Sequence, residues 1–149
     1  MLADIPDFSA IRRVLVVKLR HHGDVLLTSP VFSVLKNKLP HAELDALVYR
    51  DTQEMLTLHP AIENVFSVDR SWKQCAVLHL IRKEVGLLRA LRARHYDLVI
   101  HLTEHPRGAW LSRLLGARYS VAREFPGRRG AWWRNSFSHL YKLPTTPRH

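Results

Sequence analysis

The turn that follows the first apolar run limits what this chain can fold into. A β-branched run from Val14 to Leu19 stops at Arg20–Asp24, and apolar residues at helical spacing follow as far as Lys36. This pattern predicts a strand, a tight glycine-containing turn and a helix, which together open an α/β domain of the nucleotide-binding type. The turn has neither the three-glycine dinucleotide fingerprint nor a Gly-Lys-Ser/Thr phosphate loop, so neither a nicotinamide enzyme nor a P-loop enzyme is indicated.

Strands and helices alternate along the rest of the chain. The patterns predict strands over 13–19, 43–49, 64–68, 97–102 and 119–122, and helices over 24–38, 51–58, 75–94 and 106–115. Such alternation favours a parallel, Rossmann-like sheet with flanking helices, wound by right-handed crossovers. The segment from Arg123 onward has little periodicity and is predicted to be a loop-rich closing segment. Residues 1–10 and 144–149 are expected to be flexible.

Length and composition favour one ordinary domain. The chain has 149 residues, of which 46% are apolar, and this is enough to fill one core. No apolar run approaches the roughly 20 residues of a membrane-spanning helix. The N-terminus does not resemble a secretory signal. Cys75 is the only cysteine, which excludes an internal disulfide and fits a reducing cytosol, so we expect a cytoplasmic protein.

The positive charge is confined to the second half of the chain. Residues 1–81 carry nine Lys/Arg and nine Asp/Glu, whereas residues 82–149 carry fourteen Lys/Arg and four Asp/Glu. A half with this excess is suited to a polyanion, such as nucleic acid, anionic lipid or a phosphorylated glycan. The alternative is a solvated basic helix face followed by a basic tail.

Several motifs resemble those of one enzyme family. They are the strand Val14–Leu19, the His-His-Gly-Asp-containing segment His21–Pro30, Asp45–Tyr49, Glu54–Pro60, Tyr96–Leu102 and the Thr-Glu-His-Pro-Arg-Gly run Thr103–Gly108. Together they resemble the lipopolysaccharide heptosyltransferases of Gram-negative bacteria (glycosyltransferase family 9), and most of all the third type of the inner core. The resemblance extends from about Ile11 to Leu143.

The resemblance implies a fold and a reaction. Members of the family have the GT-B architecture, in which two Rossmann-like domains face each other across a cleft. They transfer heptose from ADP-L-glycero-β-D-manno-heptose to a heptose of the lipopolysaccharide inner core, with inversion and without a cofactor or an essential metal. Residues 1–149 would form the N-terminal, acceptor-side domain, and the C-terminal donor-binding domain would be absent. On this reading the isolated chain is not expected to catalyse transfer.

The resemblance assigns the family's catalytic base to Asp24. A positioned base of this kind contributes ~10²–10⁴-fold in rate. The alternative is a structural one, because Asp at a helix start is also a preferred N-cap. Gly23 is expected to allow a tight turn close to a sugar or phosphate. His22, Lys18 and Arg20 are candidate substrate contacts beside it, and surface charge at a strand end is the alternative for the two cations.

The loop after the fourth strand is expected to face the same crevice. Arg107 is a candidate for a bidentate grip on a phosphate or carboxylate of the acceptor. Glu104 and His105 are candidates for hydrogen bonds to sugar hydroxyls. Thr103 is either a further contact of this kind or the cap of the next helix. His101 is left without a role.

A cluster of cations and aromatic residues follows the fifth strand. It contains Arg128, Arg129, Trp132, Trp133 and Arg134. One function of such a cluster is peripheral docking on the anionic inner membrane, and another is binding of acceptor phosphate. The alternative is that the tryptophans close the edge of the core, or meet the absent domain, while the arginines are solvated.

Two other classes of function fit the chain less well. The chain has ten histidines, but neither a His-Glu-x-x-His motif nor cysteine-rich spacing, so no metal site is predicted. A specific nucleic-acid partner is not predicted either, because no helix-turn-helix, zinc or RNA-binding signature is present. The alternative to the enzyme is an inactive fragment that binds acceptor or another polyanion.

Overall fold

The fold is a parallel six-stranded sheet covered by helices on both faces. The computed structural model describes residues 7–74, 76–124 and 130–142. The strands are β1 (Arg13–Lys18), β2 (Glu43–Tyr49), β3 (Asn64–Val68), β4 (Leu98–His101), β5 (Tyr119–Arg123) and β6 (His139–Tyr141). Their order is β3-β2-β1-β4-β5-β6, and each neighbouring pair is parallel. The predicted Rossmann-like α/β class is therefore confirmed.

In the described residues, five α-helices connect these strands. They are α1 (His22–Leu26), α2 (Ser29–Lys38), α3 (Val77–Ala93), α4 (Pro106–Leu115) and α5 (Ala131–Arg134). Short 3₁₀ helices occupy Phe8–Ala10, Arg50–Met55 and Arg70–Gln74. The second of these replaces the α-helix predicted over 51–58. Of the ends expected to be flexible, residues 1–6 and 144–149 lie outside the described residues, and for 7–10 the flexibility stays a prediction.

The central strand β1 is buried on both faces. Val14 and Val16 pack in one cluster with Val25 and Phe32 of the α1–α2 layer. Leu15 and Val17 pack in a second cluster, whose helical members Leu91 and Leu111 come from α3 and α4. A strand enclosed in this way needs apolar residues in succession rather than in alternation, which explains the β-branched run that predicted it.

The prediction of one helix over 24–38 is wrong, because the helix is broken at Thr28. α1 ends at Leu26, and α2 begins at Ser29 with a proline in its first turn. Pro30 has no N–H to donate to the carbonyl of Leu26, and its ring would collide with that carbonyl in a continuous helix. Asp24 therefore lies in a five-residue helix.

The closing segment is more ordered than its sequence predicts. After β5 it forms α5 and then β6, which pairs in parallel with β5. Trp133 and Phe137 hold this segment in place, because both are buried in a third cluster with Ala109 and Ala122. The prediction of a loop-rich segment therefore missed these two short elements.

Candidate active site

A polar cavity lies at the carboxyl edge of the sheet, where parallel α/β sheets bind their ligands. It has a volume of about 360 Å³ and is lined by Lys18, Arg20, Asp24, Thr28, Leu102, Thr103, Glu104, Arg123 and Tyr141. These residues come from the ends of β1, β4, β5 and β6 and from the start of the α1–α2 segment. The cavity thus unites five of the residues that the sequence singled out, namely Lys18, Arg20, Asp24, Thr103 and Glu104.

Asp24 is not the helix cap. The N-cap of α1 is His21, and the cap makes no side-chain hydrogen bond there. The Asp24 carboxylate lies 3.8 Å from Nε of Arg20, and its side chain is 39% exposed. The capping alternative is therefore wrong, and the carboxylate stands at the cavity wall beside a cation.

Lys18 ends β1 and lines the same cavity as Asp24. Its Nζ donates a hydrogen bond of 3.2 Å to the carbonyl of Leu102. The pKa of the Lys18 ammonium is lowered from its usual value, mainly by burial and also by the positive charge of Arg20, while the negative charge of Asp24 opposes this shift.

Thr103 joins the loop after β4 to the end of β1. It is buried, and its hydroxyl oxygen accepts a hydrogen bond of 2.9 Å from the backbone N–H of Leu19. The cap of α4 is His105, whose Nδ1 accepts from the N–H of Arg107 at 3.1 Å. The capping role considered for Thr103 therefore belongs to His105.

His105 and Arg107 do not line the Asp24 cavity. They line a separate, largely apolar groove of about 470 Å³ between α3 and α4. Arg107 forms an ion pair there, with Nη1 2.5 Å from Oε2 of Glu84. The expectation that the whole loop faces one crevice holds for Thr103 and Glu104 but not for these two residues. Their contact with substrate stays a prediction.

Gly23 and His22 lie on the exposed side of α1. The backbone of Gly23 is helical, and its φ is not in the left-handed region. The prediction that glycine is needed for a tight turn is therefore wrong. A Cβ atom added at Gly23 would meet no atom within 4 Å, so the position offers open space next to Asp24.

Three polar residues of the cavity are not among the candidates from the sequence, namely Thr28, Arg123 and Tyr141. The Thr28 hydroxyl donates to the carbonyl of Val25 at 2.5 Å. Arg123 ends β5, so the predicted fifth strand and the rule of carboxyl ends would have found it. Tyr141 ends β6, and no signal for that strand was recognised.

His101 is a buried residue of the core next to the site. It is fully enclosed, and its ring stacks on Phe137 at 5.8 Å and lies 6.0 Å from the ring of Trp133. Burial lowers the pKa of His101 to about 4, so the imidazole is neutral at physiological pH. Across the described ranges 7–74, 76–124 and 130–142, no group of three or more His, Cys, Asp or Glu side chains is arranged to hold a metal ion.

The predicted cationic and aromatic cluster is divided by the structure. Trp133 is only 2% exposed and packs in the core, as the structural alternative held, whereas Trp132 is 42% exposed. Arg134 is also exposed. Arg128 and Arg129 lie outside the described residues. None of the helices in the described part of the chain is long and apolar enough to cross a membrane.

The chain is similar to known proteins over most of its length. It is 39% identical over 125 residues to lipopolysaccharide heptosyltransferase 3 of Escherichia coli, and the matched segment covers 84% of this chain and 36% of that protein. It is 38% identical over 128 residues to the protein of the same name from E. coli strain K12, where the matched segment covers 86% of this chain and 37% of that protein. The chain thus spans little more than a third of the length of these relatives. No protein-family model matches it.

A solved structure has a similar fold. E. coli heptosyltransferase WaaC, solved with ADP-2-deoxy-2-fluoro heptose, superposes with a TM-score of 0.75 at 25% identity. The match covers 92% of this chain and 44% of that one. Sequence and fold agree, and this chain is a homologue of the lipopolysaccharide heptosyltransferases over the segment that it shares with them.

Proposed function

We propose that this chain is the acceptor-side part of an inverting heptosyltransferase of the lipopolysaccharide inner core. The observation that carries the proposal is the cavity at the carboxyl edge of the sheet, where Asp24 stands among Lys18, Arg20 and Arg123. The similarity to heptosyltransferase 3 supports the substrate class. The donor would be ADP-L-glycero-β-D-manno-heptose, bound by a domain outside these 149 residues. The location would be the cytoplasm, which the single cysteine supports.

Asp24 would act as the general base. In an inverting transfer the acceptor hydroxyl oxygen attacks the anomeric carbon while the bond from that carbon to the ADP oxygen breaks. The hydroxyl proton must leave as the new bond forms, and the Asp24 carboxylate would take it. The Asp24 carboxylate, which lies beside Arg20, suits this step because it lines the cavity and can contact a ligand bound there directly.

The cations of the cavity would bind the acceptor. Lys18, Arg20 and Arg123 line the same space as Asp24, while Glu104 and Tyr141 add groups that hydrogen-bond sugar hydroxyls. A cavity with several positive groups and few apolar ones suits a sugar that carries phosphate or carboxylate groups. The comparisons do not favour the alternative of an inactive polyanion-binding fragment, which would need no base beside these cations.

The test is a chimera in which this chain replaces the matching segment of E. coli heptosyltransferase 3. The chimera is incubated with ADP-heptose and a core acceptor that lacks the branch heptose, and the acceptor is weighed by mass spectrometry. We expect a gain of one heptose. Asp24→Asn should then lower the rate by ~10²–10⁴-fold while acceptor binding is kept.

Asp51→Asn is the matched control. Asp51 is also a carboxylate paired with an arginine, since Oδ1 lies 3.3 Å from Nε of Arg70, but it does not line the cavity. Its replacement should leave the rate close to that of the parent chimera. Equal rates for Asp24→Asn and the parent would contradict the assignment of the base. A folded chimera that binds acceptor but transfers nothing would contradict the proposed activity.

A further inference from the structure

His101 is a buried histidine to which neither the sequence nor the proposed reaction gives a role. It ends β4 and is fully enclosed. Among the described residues, neither of its ring nitrogens makes a hydrogen bond of good geometry. Buried polar groups in native proteins are normally hydrogen-bonded, so this side chain calls for an explanation.

The His101 ring is enclosed by apolar groups from two neighbouring elements. On the side of α4, the ring lies so close to Gly108 that an added Cβ atom would overlap it. On the other side, the ring stacks on Phe137 with 5.8 Å between centroids and 13° between planes, and it lies 6.0 Å from Trp133 of α5. His101 therefore stands where β4, α4 and α5 meet.

The residues from 131 to 141, which we call the α5–β6 unit, depend on these contacts. The helix has four residues and the strand has three, and in the described sheet β6 pairs with β5 alone. Trp133 and Phe137 are the large buried side chains of this unit, and both contact the His101 ring. A short unit at the edge of a sheet opens more easily than the central strands.

We propose that His101 is a positioning residue that makes the α5–β6 unit, and with it one wall of the Asp24 cavity, sensitive to acid. The neutral ring packs among its aromatic neighbours and holds the unit in place. An imidazolium there would be a buried charge without a partner, so protonation favours the form in which the unit has moved away and water reaches the ring. Opening removes Tyr141 from the cavity and unpairs Arg123, the residue opposite Tyr141 in β5.

The groups around the ring do not offset a positive charge. Burial lowers the pKa of His101 from 6.5 to about 4. The backbone carbonyl of His105 opposes this shift, whereas the charges of the His105 and Lys18 side chains add to it. The aromatic rings and the glycine backbone that enclose His101 carry no charge. Between pH 6.5 and 4 the open form therefore binds more protons than the closed form, and acid favours opening.

The test is amide hydrogen exchange of the full 149-residue chain at pH 7 and pH 5, read by mass spectrometry. Each rate is divided by that of an unstructured peptide at the same pH, because acid slows the intrinsic exchange. With a pKa of 6.5 in the open form and about 4 in the closed form, one proton should raise the open population of residues 131–141 about twentyfold. Protection of β1 should change far less, since that strand lies inside the sheet.

His101→Leu removes the titrating group and places an apolar side chain in an apolar site, so the twentyfold rise should be lost. If this variant does not fold, His101→Met gives the same comparison. His139→Gln is the matched control, because His139 is the histidine of the α5–β6 unit itself and is half-buried in β6. The control should keep the rise.

Three results would overturn the proposal. They are an equal rise in the parent and in the His101 variants, a rise that His139→Gln removes, and an equal loss of protection in β1, which would mean that acid unfolds the whole domain. The inference does not rest on the proposed transfer activity, because the measurement reads the backbone and needs no substrate. A parent chain without any rise in 131–141 would overturn it as well, whatever the chimera transfers.

Discussion

Gly23 precedes Asp24 in α1 and has a helical backbone that any residue can adopt. Nothing in the fold occupies the space where a Cβ atom would stand. A structural need therefore does not account for glycine at this position. We propose instead that the space belongs to a ligand, because the position adjoins the carboxylate that we propose as the base.

Gly23→Ala separates these two accounts. Alanine is the better helix former, so the free energy of unfolding should stay unchanged or rise by up to about 1 kcal/mol. In the heptosyltransferase 3 chimera, transfer should fall because the methyl group occupies the acceptor's space. Urea unfolding and the mass assay measure the two effects. A variant of normal stability and normal rate would show that Gly23 makes no close approach to the acceptor.

The position of a residue in the cavity can be predicted from the sequence where the residue follows a predicted strand. Lys18, Arg20 and Asp24 stand at the end of β1, and Thr103 and Glu104 stand at the end of β4, so the rule of carboxyl ends brought them together. His105 and Arg107 were misplaced because α4 turns its first residues toward α3. Spacing in the sequence does not determine which side of a helix start faces a cavity.

At the scale of elements, α4 packs on β4 by close approach of Gly108 to His101. Both residues are buried, and a Cβ atom added at Gly108 would overlap the imidazole ring. The sequence predicts binding roles for residues 103–105 and 107 of the run Thr103–Gly108, and none for Gly108. Its glycine instead allows the helix to approach the strand that carries His101.

Gly108→Ala should therefore destabilise the protein. The overlap forces the buried ring or the helix to move, and overpacking of this kind costs about 1–3 kcal/mol. The control is Gly86→Ala on α3, where an added Cβ atom meets nothing within 4 Å. That variant should gain up to about 1 kcal/mol from its helix propensity. Equal unfolding midpoints in urea for the two variants would contradict the packing argument.

The short elements at the end of the chain were beyond prediction for a physical reason. α5 has four residues and β6 has three, too few to show a helical or strand period. They are stabilised by tertiary contacts instead. Ser138 and Ser120 exchange hydrogen bonds of 2.8 and 2.9 Å between backbone N–H and side-chain oxygen. The long, strongly patterned elements needed no such contacts to be recognised.

At the scale of the whole molecule, the two edges of the sheet differ in what they hold. The carboxyl edge has the cavity with Asp24, whereas toward the amino ends of the strands Asp45 is fully buried. Asp45 accepts from Tyr96 Oη at 2.6 Å, from Arg94 Nε at 2.9 Å and from the backbone N–H of Asn64 at 3.0 Å. Arg94 also donates to Glu43 at 2.7 Å. This network ties β2 to β3 and to the segment between α3 and β4.

The Tyr96 hydroxyl keeps its proton in this network. Burial raises the pKa of the Tyr96 hydroxyl, and its hydrogen bond to Asp45 raises it further, so the phenol remains a donor. Each Asp45 oxygen therefore faces donors only: Arg94 and Tyr96 on one side, and Asn64 on the other, where both its backbone and its amide nitrogen donate. A carboxylate is the group that satisfies both sides, since it accepts at both oxygens.

Asp45→Asn should therefore destabilise the whole sheet. In either orientation the new amide NH₂ faces donors, and a buried ion pair loses one partner, which costs about 3–5 kcal/mol. The matched control is Glu43→Gln, which removes a carboxylate from the same Arg94 but at a half-exposed position. Its free energy of unfolding should change far less, because exposed pairs contribute little. Equal losses in the free energy of unfolding of the two variants, measured in urea, would contradict the argument that the network stabilises the sheet because it is buried.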